Sequence, residues 1–275
     1  SMPDVTKALL DGKVTALAYE LVQTVDGKLP LLEPMSEVAG KLSVLNGSTA
    51  LLSQHGGRGI LLGGAVGVEP AEVVIIGAGT AGKAAAEIAS GMGAKVTILD
   101  ISHDKLEAVK HQFQGRVQGL YSTKASLERT CQHADLLIGA VLIPGAAAPK
   151  LITRQVMRSM KSGSVFVDIS VDQGGCAETT KPTSLENPYY QEEGVIHYAV
   201  PNMPAQTPRT STMALTSATL PYIKRIANMG LLASLERSAK HNDLREALNT
   251  MDGRLANKAV SEATGFGYYP IDSLI

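Results

Sequence analysis

Three glycines and one aspartate carry the first chemical signal in the chain. Gly77, Gly79 and Gly82 form G-x-G-x-x-G within "VVIIGAGTAGKAAAEIASGMGAKVTILD" (residues 73–100), after a predicted strand and at the start of a predicted helix. In that setting the first glycine permits a tight turn, the second lets the backbone approach a pyrophosphate, and the third lets helix pack close to strand. The anion then meets the helix N-terminus. A glycine triplet alone is weak, but here the strand, the helix and an acidic residue ending the next strand agree. Asp100 stands 18 residues after Gly82, where a carboxylate accepts both ribose hydroxyls of an adenosine half. The same charge repels a 2′-phosphate, and Ile101 and Ser102 offer no Arg to neutralise it, so NAD is favoured. Lys105, the nearest cation, keeps NADP open, and a sheet that has lost its nucleotide is the bland alternative.

A second group of residues falls in "SVFVDISVDQGGCAETTKPTS". Alternation predicts Phe166, Asp168, Ser170 and Asp172 on one side of an extended segment, with Asp172 at its carboxyl end, where an open parallel sheet holds its ligand. Asp172 is then placed either for chemistry or simply to cap the loop through the backbone of Gly174 and Gly175. Asp168, deeper in the strand, reads as a hydrogen-bonded structural carboxylate. In "VPNMPAQTPRTST", Asn202 can hydrogen-bond a ligand and Met203 can touch a flat ring, against the reading of an ordinary Asn-Pro turn. Cys176 reads as a small buried hydrophobe, and the six histidines show no metal spacing. No metal is expected, and none of the histidines is given a catalytic role.

Elements must position these groups. From residue 73 onward, "EVVIIG", "KVTILD", "RVQGLY", "DLLIGAV", "SVFVDIS" and "VIHYAV" read as six strands alternating with helices. That pattern is α/β, a doubly wound parallel (Rossmann) sheet. Before it, residues 14–22 read as a strand, "MSEVAGKLSVLNGSTALLSQ" as a helix entered after Pro34 and weakened at Asn46 and Gly47, and residues 56–70 as a hairpin or tight turn. After it come a helix over residues 210–227 with a kink at Pro221 and further amphipathic helices to about residue 263. The expected domains are a Rossmann domain over residues 49–201 and a helical second domain from residues 1–48 and 202–275.

Composition narrows the partners. The 25 Lys and Arg against 26 Asp and Glu leave a net charge of −1, which favours a small metabolite over nucleic acid or an anionic membrane. Two cysteines fit a reducing compartment, and with no cleavable signal in view the cytoplasm is expected. The apolar run "LLIGAVLIPGAAAP" is shorter than a bilayer span of about 20 residues.

Taken together, "AYELVQTVDGKLPLLEPMSEVAGKLS", "GGRGILLGGAVGVEPAEVVIIGAGTAG", "IGAVLIPGAAAPKLI", "FVDISVDQGGC" and "NMPAQTPRTSTMALTSATLPY" resemble bacterial L-alanine dehydrogenase, of the alanine dehydrogenase and nicotinamide nucleotide transhydrogenase family. The resemblance implies NAD-dependent oxidation of L-alanine to pyruvate and ammonium. It implies that Asp172 is the catalytic carboxylate and that Asn202 lies at the substrate. It further implies NAD contacts from Ser36, from Gly77, Ala78, Gly79, Thr80, Ala81 and Gly82, and from Asp100, Lys105 and Ser122. Val141, Leu142, Leu151, Ile169 and Met203 complete the implied pocket. Hexamers formed through long interdomain helices are implied as well, so a homo-oligomer is expected. Family members resemble one another in carrying roughly another 90 to 100 residues ahead of this stretch, a size within that of ordinary domains. That lobe holds the carboxylate-binding Arg and Lys and a catalytic His, so turnover by this chain is expected to be impaired. The rival expectation is a non-catalytic NAD-binding protein or a transhydrogenase-like component.

Overall fold

The structure, a computed structural model, describes residues 2–143, 148–236 and 243–275. Two compact units divide them, one within Ser36–Ile143 and Ala147–Pro208, the other within Ser1–Met35 and Arg209–Ile275. In chain order come α1 (Pro3–Asp11), β1 (Ala16–Leu17) and α2 (Glu33–Ala50). Next are β2 (Glu72–Ile76), α3 (Thr80–Gly91), β3 (Lys95–Asp100), α4 (His103–Phe113), β4 (Val117–Tyr121), α5 (Lys124–Cys131) and β5 (Leu136–Gly139). They are followed by α6 (Arg154–Ser159), β6 (Val165–Asp168), β7 (Tyr189–Glu192) and β8 (Val195–Tyr198). Last come α7 (Pro208–Met229), α8 (Leu231–Leu235), β9 (Leu248–Met251), β10 (Arg254–Leu255) and α9 (Lys258–Thr264).

All six strands read from the sequence are present, in a sheet ordered β4-β3-β2-β5-β6-β8-β7. The first six of these pair in parallel, and β7 adds an antiparallel edge. Without β7 the order is that of the doubly wound dinucleotide fold, whose direction of winding reverses between β2 and β5. Alternation along the strands sorts the core into two layers. Val73, Ile75, Ile98, Leu136, Ile138, Val165 and Val167 face a cluster that includes residues of α2, α3 and α4. Val74, Ile76, Leu99, Leu137 and Phe166 face the other, with Leu127, Cys131, Val156 and Met157 of α5 and α6.

Edge strand β7 was not expected. Its turn into β8 is made by Glu193 and Gly194, both at positive φ (54° and 77°), the backbone that a two-residue hairpin turn of matching twist requires. The tail needs a similar correction. Where further helices were expected, β9 and β10 form a hairpin about Asp252 and Gly253, again both at positive φ (48° and 74°). β1 joins this hairpin from the other side, in a three-stranded sheet. The strand expected over residues 14–22 shrinks to β1, because the Ala18 carbonyl is taken by the amide of Leu21 at 2.9 Å and the chain winds into a 3-10 turn, Tyr19–Leu21. The tight turn expected in residues 56–70 is present, closed by reciprocal bonds between Ala65 and Val68. α7 runs through Pro221.

Glycine in α2 has a packing reason that outweighs its poor helix propensity. A Cβ at Gly40 would lie 2.2 Å from the carbonyl oxygen of Ala81 in α3, and one at Gly47 would lie 2.5 Å from Leu136 of β5. The helix therefore sits against α3 and the sheet more closely than any side chain would allow.

Candidate functional site

β2 ends in the glycine loop at the switch point of the sheet. Gly77 has φ 104°, a conformation that L side chains rarely adopt, and a Cβ there would meet the Ala140 carbonyl oxygen at 2.4 Å. A Cβ at Gly82 would lie 1.8 Å from the oxygen of Gly77, so this glycine lets α3 press against β2. At Gly79 an added Cβ would meet nothing within 4 Å. Gly79 also caps α3 with no side-chain acceptor, so the first amides of the helix have no side-chain cap. Open space over uncapped amides fits a pyrophosphate, and the loop passes this test for a dinucleotide. Thr80 and Ala81 stand half-buried at the helix start, whereas Ala78 is buried beneath it. Ser36 lies one turn before Gly40 on α2, the face that meets Ala81.

Asp100 ties this loop to the ends of the neighbouring strands. Its Oδ2 accepts from the amide of Ala78 at 2.7 Å and its Oδ1 from that of Ser102 at 2.9 Å. A carboxylate has about four acceptor sites, so two remain for ribose hydroxyls. Ser102 caps α4 by accepting from the amide of Lys105, whose Nζ stands 3.8 Å from Asp100 Oδ2. Ser122 donates its amide to the Asp100 carbonyl at 2.9 Å, which brings the end of β4 alongside. The glycine loop, Asp100, Lys105 and Ser122 thus gather at the carboxyl ends of β2, β3 and β4, with Ser36 on the helix that packs against α3.

On the other side, the extended segment expected through Asp172 ends at Asp168. There Asp168 Oδ1 accepts from the amide of Ser170 at 2.9 Å, caps a 3-10 helix (Ile169–Gln173), and breaks the alternation. Asp168 is fully buried and also accepts from the Cys176 amide at 2.9 Å and from the Thr180 hydroxyl at 2.5 Å. Burial raises its pKa against the lowering effect of these donors, and the role it holds is structural, as expected. Cys176 is buried, and burial pushes its thiol upward, with the Asp168 charge adding to the rise. His197 is likewise a core residue, with Nε2 2.8 Å from the Thr179 hydroxyl and Nδ1 3.0 Å from the Val195 carbonyl. Burial lowers its pKa.

Asp172 and Asn202 come together. The Asn202 amide donates to both carboxylate oxygens of Asp172, at 3.1 and 3.2 Å. Asn202 holds a left-handed conformation (φ 50°, ψ 50°), which asparagine tolerates better than most residues, and that conformation turns its N–H back toward Asp172. The capping alternative for Asp172 is not what forms. The amides of Gly174 and Gly175 go to the carbonyls of Val171 and Ser170. Asp172 is surface-accessible yet crowded enough that desolvation raises its pKa, partly offset by the Asn202 amide.

Of the residues expected to complete the pocket, Leu142 and Leu151 are exposed, and Val141 and Ile169 half-buried. Met203 is 2% exposed and belongs to the core cluster with Tyr198 and Val200, so little of it is open to a ligand. Three residues that hold the Asp172 loop were given no role in the sequence reading. Ser170 and Gln173 bond the segment after β5, and Lys150 donates to the carbonyls of Gly174 at 2.6 Å and Ala177 at 3.0 Å. Gln173 was visible only as part of "VDQGG", and a lysine that bonds main-chain carbonyls leaves no sequence signal.

Among known proteins, the family described as "Alanine dehydrogenase/PNT, C-terminal domain" matches residues 43–258. The chain belongs to the alanine dehydrogenase/PNT family. An alanine dehydrogenase of Halomonas elongata is 49% identical over 270 residues, 98% of this chain and 72% of that protein. A solved L-alanine dehydrogenase superposes with TM-score 0.88 at 46% identity, over 95% of this chain and 72% of the other. A transhydrogenase from Sinorhizobium meliloti, 21% identical with TM-score 0.75 over 92% of this chain and 71% of that one, shares the fold. Membership in the alanine dehydrogenase/PNT family agrees with the α/β architecture and with the glycine loop at the switch point. Among the described residues, no helix is long and apolar enough to cross a membrane, and no cluster of His, Cys, Asp or Glu could hold a metal ion.

Proposed function

We propose that the chain is an NAD-dependent L-alanine dehydrogenase, which takes L-alanine, NAD and water to pyruvate, ammonium and NADH. The observation that carries this reading is the pairing of Asp172 with the Asn202 amide at the carboxyl end of the sheet, in a chain 49% identical to an alanine dehydrogenase over nearly all its length. On this reading the amides at Gly79 and the start of α3 hold the pyrophosphate, and Asp100, with Ser122 beside it, holds the adenosine ribose. Asp100 also selects NAD over NADP by charge. Ser36, Lys105, Val141, Leu142, Leu151 and Ile169, with the accessible edge of Met203, complete the cofactor contacts. When bound, NAD would supply the acceptor for the hydride that leaves the substrate Cα. Asp172 takes up a proton as water adds to the oxidised carbon, and the Asn202 side chain, which has no hydrogen bond among the described residues, is free to meet the substrate. The oligomer is read as a homo-oligomer and the compartment as the cytoplasm, which suits two buried free thiols.

The test follows NADH absorbance with NAD and excess L-alanine. The Asp172→Asn chain should lose about 10²- to 10⁴-fold in rate, the contribution of a positioned acid or base. A carboxylate that acts as a base must be ionised. Because desolvation raises the Asp172 pKa, the acid limb of the rate profile should lie above the ordinary carboxylate value of about 4. A rate indifferent to the substitution would sink the assignment of Asp172, whereas NAD binding without any turnover would favour the non-catalytic reading.

A further inference from the structure

We infer that Gln173 is a positioning residue that sets the spacing between the segment leaving β5, which carries Leu142, and the carboxylate of Asp172. The inference rests on the roles proposed above for those two residues. A 3-10 helix has three residues per turn, so Ser170 and Gln173 lie on one side of the helix Ile169–Gln173. Each uses its side chain to satisfy both main-chain groups of one residue in the neighbouring segment. Ser170 Oγ accepts from the Val141 amide at 3.1 Å and donates to the Val141 carbonyl at 2.7 Å. Gln173 Oε1 accepts from the Ile143 amide at 3.4 Å, and its Nε2 donates to the Ile143 carbonyl at 3.1 Å. Residues 141 and 143 thus turn N–H and C=O to the same side, as they would toward a neighbouring strand, and side chains of a helix stand in for that strand.

Gln173 adds a third bond, from its own main chain, by accepting from the Ala148 amide at 2.9 Å. One residue therefore holds position 143 and position 148 together. Leu142 lies between the two clamped residues and is 47% exposed. Asp172 is the peptide neighbour of Gln173, and its carboxylate is held by the Asn202 amide alone among the described residues. Where the 3-10 helix docks on the β5 segment accordingly decides where the Asp172 carboxylate stands relative to Leu142. Glutamine suits the task because its amide both donates and accepts at this reach. Leucine does neither, and an ionised glutamate would accept from the Ile143 amide but repel the Ile143 carbonyl.

Calorimetric titration of the chain with NAD and with ADP-ribose, which lacks the nicotinamide, tests this in the unsubstituted form and in Gln173→Leu and Gln173→Glu. The unsubstituted chain should bind NAD more tightly than ADP-ribose. Both variants should keep their ADP-ribose affinity and lose about tenfold toward NAD, the scale of one or two hydrogen bonds. In Gln173→Glu the loss should reverse as falling pH protonates the new carboxyl, which then donates and accepts again; a merely structural defect would not reverse. The near-isosteric Gln173→Glu keeps the test informative if Gln173→Leu does not fold. Equal losses toward both ligands, or no loss toward NAD, overturn the inference. An unsubstituted chain that binds neither ligand overturns it together with the reading beneath it, and that failure is distinct because it involves no variant.

Discussion

A methyl group added at Gly79 would touch nothing, while one added at Gly82 would collide with the main-chain carbonyl of Gly77, five residues earlier. The two substitutions should therefore fail in different ways. Gly79→Ala is expected to melt within a degree or two of the unsubstituted chain but to bind NAD at least about tenfold more weakly, because the new methyl occupies the space for the pyrophosphate. Gly82→Ala is expected to lose about 1–3 kcal/mol of stability by overpacking, with a lower melting temperature before any ligand is added. Thermal melts beside NAD titrations of the two variants separate these outcomes, and equal melting temperatures would contradict the packing argument for Gly82. Roles of this kind are legible in sequence because each glycine answers a local requirement of one turn. Gln173 and Lys150 are not legible, since their partners lie 30 and 24 residues away. Asp172 stands between these cases. Its place beyond the carboxyl end of β6 was readable, but a 3-10 helix rather than the strand carries it there, and the backbone donor that holds it comes from Asn202, across a separation of 30 residues.

At the scale of elements, periodicity served the buried strands well and the hairpins poorly. Strands β2, β3, β5 and β6 are short apolar runs between helices, and their residues alternate between two core layers. Strand β7, at the edge of its sheet, and strand β9, at the centre of the three-stranded sheet, are half-polar. The residues that announce their turns, Glu193 with Gly194 and Asp252 with Gly253, act through positive φ rather than through hydrophobic pattern. The helix α2 shows the opposite limit, where propensity misleads because packing prevails. Asn46 and Gly47 both look unfavourable, yet Gly47 makes room for Leu136. Asn46 has no such compensation. Its Nδ2 is buried and has no hydrogen-bond partner among the described residues, a state that costs about 1–3 kcal/mol. Alanine at this position removes the unsatisfied group and is also a better helix former. Asn46→Ala is thus expected to stabilise the chain by about 1–2 kcal/mol, read as a higher denaturation midpoint at unchanged slope. A lower midpoint would mean that the amide has a partner in solution.

At the scale of the whole molecule, the strand order could be anticipated because doubly wound sheets follow few topologies, and the relation of the chain to copies of itself depends on which faces stay uncovered. α7 carries two apolar stripes. Ala218, Tyr222 and Ile226, four residues apart, pack on the core formed by Val22, Leu31, Leu235, Leu244 and Leu248 within its own unit. Met213, Leu220 and Ile223 are spaced by seven and three on the opposite stripe and are 65%, 49% and 58% exposed. That spacing is the seam of a helix pair, and a large apolar stripe left in water favours association. A second copy of the same helix presents the same stripe and so satisfies it by two-fold pairing. The chain is therefore expected to sediment as a dimer or larger at micromolar concentration. Leu220→Glu combined with Ile223→Glu should shift it to monomer while leaving the far-ultraviolet circular dichroism unchanged, since neither side chain belongs to the core of its unit. Sedimentation of the unsubstituted chain as a monomer at tens of micromolar would rule out this stripe as a contact between copies, and association that survives both glutamates would move the contact to another face.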